Sequence, residues 1–293
     1  MKSISVHLPS GTVPLEYIEI VGLHPGPTVT ITAGMDGDEY IGIETARTLS
    51  KRYTPKTIHG RIYILPLINA AGFASRTSYS PIDAKYPKLV FPGSENGTHT
   101  ELFMHWLYTT HIKTSDIWID LHGGSKDEEL NPFIWVYQSK VAAIRTLQQK
   151  LLDTSRAPII VYDRYPIMNH SVFLDNHRVT HIVMECGDKG NTDPKSIAML
   201  SRWIDDGLQA IGVLPSISHK HTKPDIYTSV TYVRAPFDGF WQPESHPKRI
   251  LGTLTSADLK KQISVDIIDS QLLWRYIGPF CYKWDILAAY AKR

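Results

Sequence analysis

The chain is poor in cysteine, has no excess of charge of either sign, and lacks any long apolar run. Two cysteines in 293 residues, Cys186 and Cys281, are too few for a disulfide framework and have no metal-ligand spacing, so both are expected to be buried thiols in a reducing compartment. Lysine plus arginine (31) nearly balance aspartate plus glutamate (29). No dense basic run with interleaved aromatics tracks a phosphate backbone, which argues against a nucleic-acid partner. Nowhere do about 18 apolar residues follow one another, and the first residues, Met1 to Pro9, contain no apolar signal-peptide core. The expectation is a cytoplasmic protein with no membrane partner. Internal repeats and low-complexity tracts are also missing.

What is present is an alternation of short apolar runs with helical patterns from residue 28 to about 213. Thr28 to Ala33 is rich in β-branched residues and reads as a buried strand, whereas Glu39 to Tyr53 puts Ile43, Ala46, Leu49 and Tyr53 on one helical face. Strands follow at Arg61–Leu67, Ile117–Leu121, Phe133–Tyr137, Pro158–Tyr162 and His181–Glu185, with helices at Thr98–Thr110, Val141–Thr154 and Pro194–Ile211. This order predicts an α/β three-layer sandwich around a mixed, mostly parallel sheet. Its domain would span residues 1–214. Residues 215–224, with His219, Lys220 and His221 between prolines, read as a linker. From Tyr227 onward β-branched and aromatic residues alternate with turn signals, and no long helical face appears before the last few residues, so 225–293 is expected to be a small β-rich domain.

Two segments stand out, because each follows a strand-like run where ligands collect in open α/β sheets. Ala33-Gly34-Met35-Asp36-Gly37-Asp38-Glu39 offers two carboxylates three residues apart, and Asp120-Leu121-His122-Gly123-Gly124 offers a histidine beside two glycines. Asp36, Glu39 and His122 would give three ligands to a divalent metal, with a fourth position for water. Taken alone, Asp-x-x-Glu at a helix start is more simply an N-terminal cap. Glu185 ends the apolar run Ile182-Val183-Met184, as a carboxylate base at a strand end would.

The order of several motifs resembles the succinylglutamate desuccinylase/aspartoacylase family of zinc carboxypeptidase-like hydrolases. The resemblance runs through Pro25-Gly26-Pro27, Gly37-Asp38-Glu39-Tyr40, Asn69, Gly72-Phe73, Ser80-Pro81-Ile82-Asp83, Phe91-Pro92-Gly93, Asp120-Leu121-His122-Gly123, Glu185-Cys186-Gly187 and Ala235-Pro236-Phe237-Asp238-Gly239. It implies a metal-dependent amide hydrolase or deacylase of a small-molecule amide, with a metal-held water as nucleophile. Asp36, Glu39 and His122 would be the ligands and Glu185 the general base and acid. The carboxypeptidase-like fold, with a small β domain that walls the entrance and leaves room for a homo-oligomer, comes with the same resemblance.

Three positions depart from the family pattern. The leading ligand is Asp36 in place of histidine. The oxygen-rich set that results admits Mn²⁺, Fe²⁺ or Co²⁺ beside Zn²⁺, which stays the first choice. Lys88 and Leu89 stand where an Asn-Arg pair would clamp a carboxylate, and leucine cannot form the arginine fork. Ser78 stands where a carbonyl-polarising arginine is expected, with Arg76 two residues earlier as the substitute. Arg76, Ser78 and Lys88 are therefore the candidate substrate contacts, and Arg76 a candidate catalytic group. A binding protein on a deacylase scaffold, and metal-dependent acyl transfer or cyclisation, are the rival readings.

Overall fold

The computed structural model describes residues 2–163, 170–216 and 223–293; the predicted linker residues His219, Lys220 and His221 lie outside them. The chain begins with a hairpin of β1 (Lys2–Leu8) and β2 (Gly11–Val21), followed by β3 (His24–Ala33), α1 (Tyr40–Arg52), β4 (His59–Leu65), α2 (Ala70–Ser75), α3 (Pro87–Val90) and α4 (His99–Leu107). A π-helical turn, Tyr108–Ile112, extends α4. There follow β5 (Ile117–His122), β6 (Glu128–Leu130), β7 (Phe133–Tyr137), α5 (Ala142–Asp153), β8 (Ile159–Asp163), α6 (His170–Asn176), β9 (Thr180–Glu185) and α7 (Pro194–Ala210). The rest is strand: β10 (Asp225–Tyr227), β11 (Ser229–Arg234), β12 (Gly239–Pro243), β13 (Ile250–Ser256), β14 (Gln262–Asp266), β15 (Gln271–Tyr276), β16 (Phe280–Cys281) and β17 (Ile286–Lys292).

Nine strands form one sheet in the order β1-β2-β4-β3-β5-β9-β7-β8-β10. Its centre is parallel through β4, β3, β5 and β9, while β7 runs antiparallel to β9. Helices α1, α5 and α7 cover one face through Ala46, Leu49, Leu151, Trp203, Ile204 and Leu208, which pack on Val29, Ile31, Ile119 and Ile182. On the other face lie α4, the π turn and residues of the first hairpin. The expected three-layer sandwich with a mixed sheet is what the chain forms.

The C-terminal part forms two antiparallel sheets, β11-β17-β15-β6 and β14-β13-β12-β16. Two strands cross the expected domain boundary. The early segment β6 pairs with β15, and β10 completes the large sheet beside β8. Buried Arg275 fastens the first crossing by donating from Nε to Glu129 Oε2 (2.7 Å), and Lys189 adds an ion pair to the same carboxylate (2.7 Å). The last residues, where a helical face remained open in sequence, are the strand β17. Phe133, Val161, Leu273 and Ala289 then pack together, laying the C-terminal sheet against β7 and β8.

Candidate metal centre and cavity

Alternation along the central strands decides which side chains can meet. In β5, Ile117, Ile119 and Leu121 enter the helix-covered core, so Trp118, Asp120 and His122 face the other way. Strand β9 follows the same rule. Ile182 and Met184 enter that core, leaving His181, Val183 and Glu185 on the opposite face. Parallel register sets His122 beside Glu185 and Trp118 beside His181, and those two aromatic rings stack at 4.1 Å.

The segment carrying Asp36 and Glu39 leaves β3 and enters α1. Gly37 lies so close to the α2 backbone that a Cβ there would sit 2.2 Å from Gly72, and only glycine permits that approach. Gly42 in turn lets α1 rest on β5, since a Cβ would fall 2.6 Å from the Leu121 carbonyl. Glu39 occupies the N-cap position of α1 but forms no cap bond. Its Oε2 lies 2.8 Å from His122 Nδ1 and accepts the Gly123 N–H at 3.1 Å, which removes the simple capping explanation.

Asp36, Glu39 and His122 each present a ligand atom within 4.8 Å of the others, and all three are buried. Asp36 Oδ1 has no hydrogen-bond partner among the described residues, an arrangement that is costly in an interior without a cation to face. His122 Nε2 lies 3.0 Å from Asp120 Oδ2. With that nitrogen protonated and donating, Nδ1 keeps its lone pair for a metal, the usual carboxylate-histidine support of a ligand. Behind Asp120 the chain of bonds continues, Thr32 donating to Asp120 Oδ1 (2.6 Å) and Trp118 Nε1–H donating to Thr32 Oγ1 (2.7 Å). Two carboxylates and one imidazole thus fit a divalent cation.

Charge is tightly balanced there. Burial works to raise the Asp36 carboxyl, yet the Lys88 ammonium and His122 overcome it and hold Asp36 well below the usual carboxylate range. Burial, then the charge of Asp36, pushes Glu39 well above it. Burial also opposes charge on His122, but Glu39 and Asp120 prevail and raise it. The Glu185 side chain makes no hydrogen bond among the described residues, and burial pushes its carboxyl up to about 7 despite the pull of His122 and Lys88.

Glu39, His122, Glu185 and Lys88 open onto one cavity of about 250 Å³. The site residues inferred from sequence therefore divide. Lys88 lines the cavity and donates from Nζ to Asp36 Oδ2, so it touches a candidate ligand directly. Arg76 is the left-handed C-cap of α2, with an exposed side chain outside the cavity lining. Ser78 donates to Asp38 Oδ1 (2.7 Å) and lies outside the lining as well. Lys189, four residues beyond Glu185, pairs with Glu129. Sequence reasoning missed Asp120, Glu128 and Asp163 on the wall, and also Tyr232, Trp274 and Ile286 from the C-terminal sheet. For Asp120 the two-residue spacing to His122 was the available signal.

A mixed sheet carrying a carboxylate-histidine cluster at its strand ends, roofed by a small β module, is the layout of carboxypeptidase-like deacylases. The chain matches the profile of the Succinylglutamate desuccinylase/Aspartoacylase catalytic domain over residues 25–211, and it belongs to that family. It is 26% identical over 215 residues to the N-alpha-acetyl-L-2,4-diaminobutyric acid deacetylase of Halomonas elongata, a stretch covering 72% of this chain and 62% of that protein. Among solved structures, the product-bound ectoine utilization protein EutE (DoeB) from Ruegeria pomeroyi superposes with a TM-score of 0.85 at 21% identity, covering 99% of this chain and 94% of the other. The succinylglutamate desuccinylase/aspartoacylase from Rhodobacter sphaeroides gives 0.81 at 21% identity, with 96% and 90% covered. At such identities these two superpositions speak to the fold. No described helix is long and apolar enough to cross a membrane.

Proposed function

We propose that this chain hydrolyses the amide bond of a small N-acyl compound at a centre held by Asp36, Glu39 and His122, with Glu185 as general base and then acid. The observation that carries the reading is the register of two adjacent strands, which sets Glu185 beside the proposed ligand His122 on one cavity wall. Zinc is the proposed cation, and the donor set also admits Mn²⁺, Fe²⁺ or Co²⁺. When bound, it supplies Lewis acidity to a carbonyl and to water.

The protein's own groups do the rest. A carboxyl near 7 can take a proton from an attacking water and return it to the leaving amine at neutral pH. Asp120 fixes the orientation of His122, and Lys88 steadies Asp36 while presenting an ammonium to the cavity, where it meets a polar oxygen of the substrate. Arg76 and Ser78 take no part in this scheme. The same Lys88–Asp36 ion pair favours a second reading, in which the ammonium stands in for a metal and the chain only binds its ligand.

Metal analysis with a screen of N-acyl amines and amino acids tests both readings. About one equivalent of divalent metal, lost in Asp36→Ala and His122→Ala, is expected. Glu185→Gln should keep the metal and lose about a hundred- to ten-thousandfold in kcat. A wild type that takes up no metal after reconstitution and cleaves no amide would overturn the hydrolase and leave the binding protein.

A further inference from the structure

Away from the candidate ligands, the cavity wall is the open side of an apolar cluster. Phe133, Val161, Leu273 and Ala289 belong to its closed part, and Leu130, Trp135, Tyr232 and Trp274 pack against it while staying only partly buried. All four of the latter line the cavity. Strand register explains how three of them come together. Across the C-terminal sheet Tyr232 of β11 and Trp274 of β15 both pair with Ala289 of β17, and Trp274 pairs in turn with Leu130 of β6. Residues paired in this way project from the same face of a sheet, so the row reads ring, methyl, ring, isobutyl. Trp135 approaches from β7, with Tyr137 two residues further along the same face.

The charged groups around this wall are engaged within the protein. Lys88 is bonded to Asp36 and lies near enough to Glu128 to oppose the rise that burial gives that carboxyl. Glu128 also accepts the Ser125 N–H (3.0 Å). The Arg234 Cζ sits 5.6 Å from the centre of the Tyr232 ring, and Asp163 has a partner of its own and is only 3% exposed. A charged substrate end would therefore give up hydration beside groups whose charge is already answered. An uncharged apolar end gains on leaving water and covers surface that the four side chains leave open. Space suffices as well, since about 150 Å³ with aliphatic and aromatic walls holds a benzene ring, and this cavity measures about 250 Å³.

We propose that the part of the substrate remote from the scissile amide is an uncharged apolar group about the size of a single aromatic ring, seated against Leu130, Trp135, Tyr232 and Trp274. This assignment rests on the amide-hydrolysis reading for the position of the scissile bond, but binding can be measured without turnover. Methanesulfonamides, whose S–N bond resists the hydrolysis that cleaves an amide, serve as probes with N-benzyl, N-(2-aminoethyl) and N-carboxymethyl tails. Each is titrated into the wild type by calorimetry at neutral pH. The benzyl probe should bind at least about tenfold more tightly than either charged one. Trp274→Ala and Leu130→Ala should each reduce that lead several-fold, and thermal melting reports whether each variant is folded.

No binding of the benzyl probe, or equal or tighter binding of a charged one by the wild type, overturns the proposal, and that ranking needs no variant. A lead untouched in folded Trp274→Ala and Leu130→Ala overturns it too, by placing the ring elsewhere on the protein. Cleavage assays separate this from the function. If no N-acyl compound is cleaved while the benzyl lead and its loss in the variants hold, the deacylase reading fails and the apolar seat stands. If the acetamides with the same three tails are cleaved with equal kcat/KM, the seat fails and the deacylase stands.

Discussion

The two faces of the central sheet are equally dry and chemically opposite. Every residue of β5 is buried, yet Ile117, Ile119 and Leu121 sit in the apolar core under the helices, whereas Trp118, Asp120 and His122 take part in hydrogen bonds or ring contacts that lead to the candidate metal cluster. Burial by itself therefore does not separate scaffold from chemistry in this fold. Partners do: on the helix face removal of a side chain leaves a void, and on the other face it leaves a polar neighbour unpaired.

Substitutions on each face should break apart in what they damage. The largest effect on stability is expected from Ile119→Ala, which opens a cavity under α1 and α7. Denaturant unfolding should show a loss of about 2–5 kcal/mol, with metal stoichiometry unchanged in the folded fraction. Asp120→Asn, one residue along, should leave the unfolding midpoint nearly in place and weaken metal binding about 10- to 100-fold, read by competition with a chelator. A result in which both variants lost stability equally and bound metal equally would erase the distinction between the faces.

The smallest effect sharpens it within the polar side. His111 lies buried against Tyr17, Tyr63 and Trp106 with neither ring nitrogen bonded among the described residues, and burial holds it below its ordinary 6.5. As pH falls below 6.5 the unfolded chain binds a proton that the native ring refuses, so stability should decline down to the native value and then level off. In His111→Phe the acid limb of a stability-against-pH curve should be shallower. An identical limb would assign the pH dependence to other groups.

Much of this architecture is legible in the sequence. The β-branched run before Asp36 becomes β3, Phe133–Tyr137 is β7 to the residue, and α1, α5 and α7 end within one or two residues of their apolar faces. Strands with strong local patterns need little help from tertiary context. The grouping of Asp36, Glu39 and His122 is legible as well, because they follow two such strands. Less legible is what distant pairing creates. The three-residue β6 carries no periodicity, and Tyr232 and Trp274 reach the cavity only through the pairing of the C-terminal sheet. Arg76 fails to reach it because a left-handed residue ends α2 and the chain turns there, a local geometry that composition does not announce.

The strand exchange between the two parts of the chain governs the order in which the molecule can be completed. Asp36, Glu39, His122 and Glu185 all belong to the first 185 residues, but β6 finds its partner only when residues 274–276 exist. On a ribosome, the residues of this cluster would be synthesised before Tyr232, Trp274 and Ile286 of the cavity wall. Pairing across so long a stretch of chain carries a large loop-closure cost, so the closing of the cavity wall depends on the residues synthesised last.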